Sequence, residues 1–467
     1  MTECTQCSFR FAALYRREVV AQFDGGDITT DAGGLLLREV DRRLSLTERL
    51  AACFTDYRRV DQIEHAVQGL VAQRLYGLAL GYEDLNDHDQ LRADPLMGVL
   101  IGKAEPQGTD RRRAQDQGKA GAGKSTLNRL ELTPADADAK TRYKKIVYEG
   151  EAIDRLLVEL FTEAHAEPPA RIVLDLDVTD DPIHGNQEGR FFHGYYREYC
   201  YLPLYIICGE FVLCARLRSS NIDASAGALE EVQRIVAQIR AQWPQVEIIL
   251  RGDGGFSRDA LMSWCEDHQV DYVLGLAKNN RLRKIIGRQL QEAKLQFEGS
   301  QKAARVFSEF SYQTRKSWKR PRRVVAKAEH LQKGANPRFV VTSLSAERWE
   351  ARSLYEELYC ARGEMENRIK EQQLALFADR TSTELMRSNQ LRLYFSTCAY
   401  QLMQGLRRLG LKGTEMAQAQ CQTIRLRLLK IGAQIWVTVR RVYLSLAAGY
   451  PFRETFAHVC RNLMSTA

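Results

Sequence analysis

Three short stretches of this 467-residue chain gather carboxylates in patterns that suit a divalent cation. In LDLDVTDD (174–181) an apolar run ends in acids. Alternate residues of a strand share a face, so Asp175 and Asp177 point the same way. Carboxylates crowded at a strand end repel, and a divalent cation relieves that repulsion. In ILRGDGGF (249–256) Asp253 follows an apolar strand and precedes Gly254-Gly255. Strand C-termini in open α/β sheets are where ligands bind, and glycine there lets a phosphate or metal approach the backbone. In YCARGEMEN (359–367) Tyr359, Arg362 and Glu366 share a helix face, with Lys370 one turn on. Each stretch alone has a plainer reading: an acidic turn, an Asp-Gly turn, a charged surface helix. Together, two strand-end Asp and one helical Glu can hold two Mg²⁺ ions on one scissile phosphate. One ion activates water or a 3′-hydroxyl, and the other stabilises the leaving oxygen. Mg²⁺ prefers hard oxygen ligands and keeps several waters, so few carboxylates suffice.

The elements that must position these residues are α/β in pattern. RIVLDLDV predicts a buried strand, residues 201–218 a hairpin about Gly209-Glu210, 226–242 an amphipathic helix, and VEIILRGD a second strand. SRDALMSWCEDH predicts a helix capped by Ser257, and VDYVLGLA a third, parallel strand, giving a mixed sheet flanked by helices. The first 165 residues read as mostly helical, with Asp31 capping LLLREVDRRL and apolar periodicity over 60–80. Residues 300–345 read as strands and turns rich in Arg and Lys, including Arg320, Arg322 and Arg323. The chain returns to helix from 346, and 421–447 is apolar with interleaved Arg. The organisation expected is a helical region (1–165), a catalytic core (166–299 and 346–384), a β-rich basic insertion (300–345) and a helical C-terminal region (385–467).

Lys plus Arg number 67 against 59 Asp plus Glu, a net charge of +8 that fits a polyanionic partner. The 11 Cys show no repeating framework, and no apolar run approaches the roughly 18 residues of a membrane span. Reduced thiols, a cytoplasmic location and no membrane partner are the expectation. Cys4 and Cys7 form a CxxC without a second pair at zinc spacing, so no zinc site is expected.

Several long stretches carry a family likeness: FDGGDITTDAGGLLLREVDRR (23–43), LDLDVTDDPIHGNQEGRFFHGYY (174–196), YCYLPLYIICGE, SSNIDASAGALEEVQRI, ILRGDGGF and YCARGEMENRIKEQQ. They resemble the bacterial insertion-sequence DDE transposases of the "thirteen-eighty" family, related to the insertion-sequence-four group. The resemblance implies a ribonuclease H-like core, with Asp177, Asp253 and Glu366 as catalytic metal ligands for two Mg²⁺ ions that Mn²⁺ can replace. Asp175 is the alternative for the first ligand and Glu364 for the third. Tyr359, Arg362 and Glu366 fit the related group's Tyr-x2-Arg-x3-Glu-x6-Lys signature, but Gln373 stands in the Lys slot and Lys370 is the nearest lysine. Tyr359, Arg362 and Lys370 would then contact DNA, as would Arg320, Arg322 and Arg323 of the insertion. Trp318 and Trp349, in or beside that insertion, are candidates to stack on a flipped base. The implied partners are transposon terminal inverted repeats and target DNA, handled by a homodimer with no nucleotide cofactor.

GKAGAGKS (118–125) matches a phosphate-loop pattern, but TDRRRAQDQ precedes it where an apolar strand is required. It reads instead as a basic loop, with Ser125 capping the next helix and Lys124 and Arg129 able to touch DNA phosphate. His184 and His193 lack a completing Cys pair and read as loop residues near the active site, and Glu188 as a surface acid, with assistance to metal binding as the alternative. The competing classes are a metal-dependent nuclease or resolvase without strand transfer, a non-catalytic DNA-binding derivative, and an NTPase.

Overall fold

The computed structural model describes residues 8–465. The chain forms two compact units, one of residues 1–149, 375–377 and 398–467, the other of 150–374 and 378–397. The Cys4–Cys7 pair lies outside the described residues.

The second unit is built on a nine-stranded mixed sheet. Its principal strands are β1 (Arg171–Val178), β2 (Leu204–Cys208), β3 (Phe211–Arg216), β4 (Glu247–Gly252), β5 (Asp271–Leu276), β6 (Ala304–Tyr312), β7 (Arg322–Leu331) and β8 (Arg338–Thr342). Their order is β3-β2-β1-β4-β5-β8-β7-β6, with Gly334–Ala335 beside β7. The pairs β1–β4 and β4–β5 are parallel, and β1–β2 and β5–β8 antiparallel. Period-two alternation decides the faces. Ile172, Leu174 and Leu176 of β1 face helices α1 (Ala228–Gln242) and α2 (Asp259–Asp267), in a core with Val232, Ile235, Ile239, Leu261 and Met262. Each such aliphatic side chain contributes about 1.5–3 kcal/mol on burial. The opposite face carries Val173, Ile249, Val273 and Val340, covered by Leu354, Tyr355 and Leu358. That face is also the one on which Asp175 and Asp177 fall.

The first unit is helical with small sheets. Helix Val67–Leu80 is buried from Leu70 to Leu80 and so has no polar face. Its interior Arg74 is satisfied by Glu131 at 2.7 Å. The C-terminal segment joins this unit closely: Gly33 donates its N–H to Leu429 O at 3.1 Å. A Cβ on Gly33 would stand 2.0 Å from Leu428 O, so only glycine admits that approach.

Several expectations need correction. Residues 300–345 do not stand apart as an insertion domain, because β8 pairs with β5 and extends the core sheet through β7 to β6. The C-terminal region is not all helix: β9 (Ala433–Val437) and β10 (Val442–Leu446) form a hairpin, as their alternating β-branched and aromatic residues favour. The N-terminal region also holds a hairpin, Phe9–Leu14 with Arg17–Ala21. Helix Gly150–Glu163, placed with the N-terminal region by its pattern, belongs to the sheet unit. Asp31 caps no helix, because its carboxylate accepts from Tyr82 Oη and pairs with Lys430, both at 2.6 Å. Ser257 donates to Gly254 O and α2 starts two residues later, while the helix Lys124–Glu131 begins before Ser125. Among the described residues no two cysteines form a disulfide. No helix among the described residues is long and apolar enough to cross a membrane.

Candidate active site

Asp177 sits near the C-terminal end of β1, on the face covered by the 351–376 helical segment. Its Oδ1 accepts from the Val178 N–H at 3.0 Å, and its Oδ2 accepts from Arg362 at 3.1 Å. Burial pushes the Asp177 carboxyl up to about 6, and Asp253 and Glu366 push in the same direction against Arg362 and the Val178 N–H. Asp253 and Glu366 are therefore each near enough to bear on the Asp177 charge.

Asp175, two residues back on the same face, has another partner. Its carboxylate accepts two hydrogen bonds from Arg251, from Nε and, at 2.7 Å, from Nη2. Asp175 and Arg251 are Cα partners in the β1–β4 register, and both are buried. Arg251 Nη1 donates to Leu358 O at 2.6 Å, tying the ion pair to the covering helix. Arg251 thus engages both Asp175 oxygens, whereas Arg362 engages only one oxygen of Asp177. Arg251 was missed in the sequence, although a lone Arg inside the apolar run VEIILRG signals a buried partner.

Asp253 caps the turn Gly254–Phe256, its Oδ1 accepting from the Gly255 N–H at 2.8 Å. The end of β5 packs against this turn at Gly275, where a Cβ would lie 2.7 Å from Tyr359 Oη and 2.8 Å from Gly254 N. Glycine at 275 thus lets the Tyr359 hydroxyl reach the strand end beside Asp253. A cleft of about 550 Å³ opens here, lined by Asp253, Gly254, Lys278, Arg338, Tyr359 and Arg362 among others. Lys278 and Arg338 had not been singled out, and only the fold brings them to the cleft.

Glu366 lies in α3 (Gly363–Leu376). The segment before it winds as a π-helical turn, Leu354–Tyr359, then a 3₁₀ turn, Cys360–Arg362. Such irregular turns concentrate at functional sites. Arg362 reaches Glu366 Oε1 at 3.2 Å as well as Asp177. Burial alone would lower the Arg362 pKa, but Asp177, Tyr359, Asp253 and Glu366 outweigh it and raise it, so the guanidinium stays charged. Glu364 lines a separate cavity with Asp175 and Arg251 rather than meeting Arg362.

Gln373, in the slot of the signature lysine, donates to Asp181 Oδ1 at 3.0 Å and Asp180 O at 3.2 Å. Asp181 is fully buried, and burial pushes its carboxyl up to about 8. The Gln373 N–H favours the ionised form, and burial outweighs it. Lys370 is exposed on α3.

The other basic candidates separate by burial. Arg322 is 4% exposed and engages Asp259 and Glu266, each at 2.7 Å, so it holds β7 to α2 and presents no surface to DNA. Trp318 is 5% exposed, edge-on to Tyr312 with Arg322 beside its ring, and stacks on no base in this arrangement. Trp349 is half-buried against the Leu354 face. Arg323 is tied to Glu309, Leu344 O and Trp349 O. Arg320 pairs with Glu266 and Asp267 but stays half-exposed. In the first unit Lys124 is exposed beside Asp89, and Arg129 lies over the Tyr143 ring. A 3₁₀ turn, Ala114–Asp116, precedes the 118–125 loop where a phosphate loop would need a strand.

The site's donors are hard carboxylate oxygens, its first acid is strained by burial and like charge, and a guanidinium already serves as counter-cation. These features fit a hard divalent cation. Among the described residues no three ligating side chains yet converge on one ion position. Asp177 and Glu366 close on Arg362 instead.

A family model described as transposase DDE domain, group 1, matches residues 11–467. No curated protein matches the sequence. Among solved structures, the chain is similar to the piggyBac transposase in a synaptic complex with hairpin DNA, at 10% identity and a TM-score of 0.42, over 86% of this chain and 80% of that one.

Proposed function

This chain belongs to the transposase DDE domain group 1 family, and we propose that it moves a bacterial insertion sequence of the "thirteen-eighty" type by cut and paste. It is a DDE transposase, an enzyme of DNA cleavage and joining. In our reading its catalytic unit is ribonuclease H-like, binds the element's terminal inverted repeats, and works as a homodimer that pairs two ends. The observation that supports the site assignment is Arg362, which bonds both Asp177 of β1 and Glu366 of α3 and lines one cleft with Asp253 at the end of β4.

Asp177, Asp253 and Glu366 would hold two Mg²⁺ ions, with Mn²⁺ able to replace them. When bound, these ions supply Lewis-acid stabilisation of charge on the attacking and leaving oxygens. The chain's own residues do the rest. Arg362 keeps a fixed positive charge able to donate hydrogen bonds to a backbone phosphate. Lys278 and Arg338 add positive charge along the cleft beside Asp253. Tyr359, partly buried against Gly275, sets one wall of that cleft and orients whatever enters it. Lys370 and Arg320 remain exposed for backbone contact, as do Lys124 and Arg129 on the first unit.

The test uses a labelled inverted-repeat end, a supercoiled target and Mg²⁺. Transposase activity predicts both strand cleavage at the end and a joined product. Cleavage without any joined product would replace this reading with a nuclease.

A further inference from the structure

The hairpin β9–β10 is an outlying feature of the first unit that the catalytic account leaves unused. One face of its three-stranded sheet is buried: Ala433, Ile435 and Thr29 pack inward with Ala32 and Ile431. The other face is open. Trp436 and Tyr443 are register partners across the two strands and stack at 5.5 Å with planes 16° apart, both substantially exposed. The turn Thr438-Val439-Arg440-Arg441 projects beyond them, with Val439 fully exposed. Thr438 and Arg441 close that turn by backbone hydrogen bonds in both directions, so the arginines hang from a fixed loop. Among the described residues neither Arg440 nor Arg441 meets a carboxylate, and Arg441 leans on Tyr443 Oη at 3.4 Å.

The charge of the segment points to the partner. From Met416 to Arg453 the sequence contains no Asp or Glu, against six Arg and Lys. Two of the six are internal: Arg425 donates to the carbonyls of Ala79 and Leu78, and Lys430 pairs with Asp31. Arg427, Arg440, Arg441 and Arg453 are left exposed. A rigid tip with two unpaired guanidinium groups, flanked by open aromatic rings, is complementary to a polyanion with apolar edges. The same charge opposes contact with the identical hairpin of a second copy.

We propose that β9–β10 is a DNA-binding wing: Arg440 and Arg441 contact backbone phosphates of duplex DNA, and Trp436 and Tyr443 lie along the adjoining sugars. The wing rests on the transposase reading for its substrate, but it assigns binding to residues remote in sequence from the carboxylate triad.

The experiment measures binding of the full chain to a fluorescein-labelled inverted-repeat duplex by anisotropy across a salt series. Arg440→Ala/Arg441→Ala is expected to weaken binding and to flatten the plot of log affinity against log salt by about two units, with an unchanged unfolding midpoint. A photocrosslinking residue at Val439 is expected to attach to the labelled DNA. If wild type binds the duplex and the double variant matches it in affinity and salt slope, the wing is wrong while the transposase reading stands. Crosslinking of position 439 only to a second protein chain also overturns it. If wild type binds no duplex, both the wing and the transposase reading fall.

Discussion

The Arg362 guanidinium donates to Asp177 Oδ2 across 3.1 Å, joining residues 185 positions apart in the chain, and the same side chain reaches Glu366 at 3.2 Å. It fills the electrostatic role of a cation between two carboxylates. Replacing it with a neutral amide removes a competing positive charge. Arg362→Gln should therefore bind Mn²⁺ about tenfold more tightly than wild type in DNA-free titration calorimetry, while its cleavage rate falls. Weaker Mn²⁺ binding by the variant would mean that Arg362 orders the carboxylates rather than competing for them.

Asp175 and Asp177 share a strand face but should fail differently. Removing Asp175 strands the buried Arg251 charge, which costs about 3–5 kcal/mol for a buried pair. Asp177→Asn should leave the metal-free protein as stable as wild type or more so, because the Asp177 carboxyl is disfavoured by burial. Denaturant unfolding of Asp175→Asn and Asp177→Asn separates the two. Equal stabilities would contradict the structural role given to Asp175.

The strand faces, the hairpin about Gly209-Glu210, helix α1 and the parallel strand β5 were legible, because period-two and helical patterns report local geometry. The proposed triad came from family likeness: the strand pattern alone could not choose Asp177 over Asp175. That choice depends on Arg251, which register places beside Asp175 across two strands. The burial of Arg322 and Trp318 was invisible for the same reason, since Asp259 and Glu266 come from a helix more than fifty residues away. Lys278 and Arg338 show the converse, surface charges gathered by topology alone. The strands over 433–446 were lost among neighbouring helices, whose apolar and basic composition they share.

Asp181 gives a pH signature. Burial raises its carboxyl from 3.8 to about 8, helped by Asp379 and Asp180 and opposed by Gln373. Between these values the folded chain keeps the proton and the unfolded chain has lost it. Stability from this group is complete below about pH 4 and is lost as pH rises through about 8, at about 1.4 kcal/mol per pH unit. Asp181→Asn keeps an acceptor for Gln373 and should be more stable than wild type at pH 8 and equal to it below pH 4. Parallel stability curves for the two proteins would show that Asp181 is ionised in the fold.

Gly275 sets the distance between Tyr359 and the Asp253 turn. A methyl group there would press on the Tyr359 hydroxyl and on the backbone of Gly254 and Asp253. Gly275→Ala should lower the cleavage rate about 100-fold, a misplacement effect, and destabilise by about 1–3 kcal/mol from overpacking. Adding Tyr359→Phe should recover part of the stability by removing the crowded hydroxyl. Wild-type rate in Gly275→Ala would show that the contact does not tune the site.

The most direct measurement compares Asp177→Asn, Asp253→Asn and Glu366→Gln with wild type in Mg²⁺-dependent cleavage and joining of a labelled inverted-repeat end, with DNA binding followed in parallel. The account predicts that all three bind the end as wild type does and that cleavage and joining both disappear. Wild-type cleavage by any one of them would contradict the triad, and cleavage by Asp177→Asn would return the first ligand to Asp175.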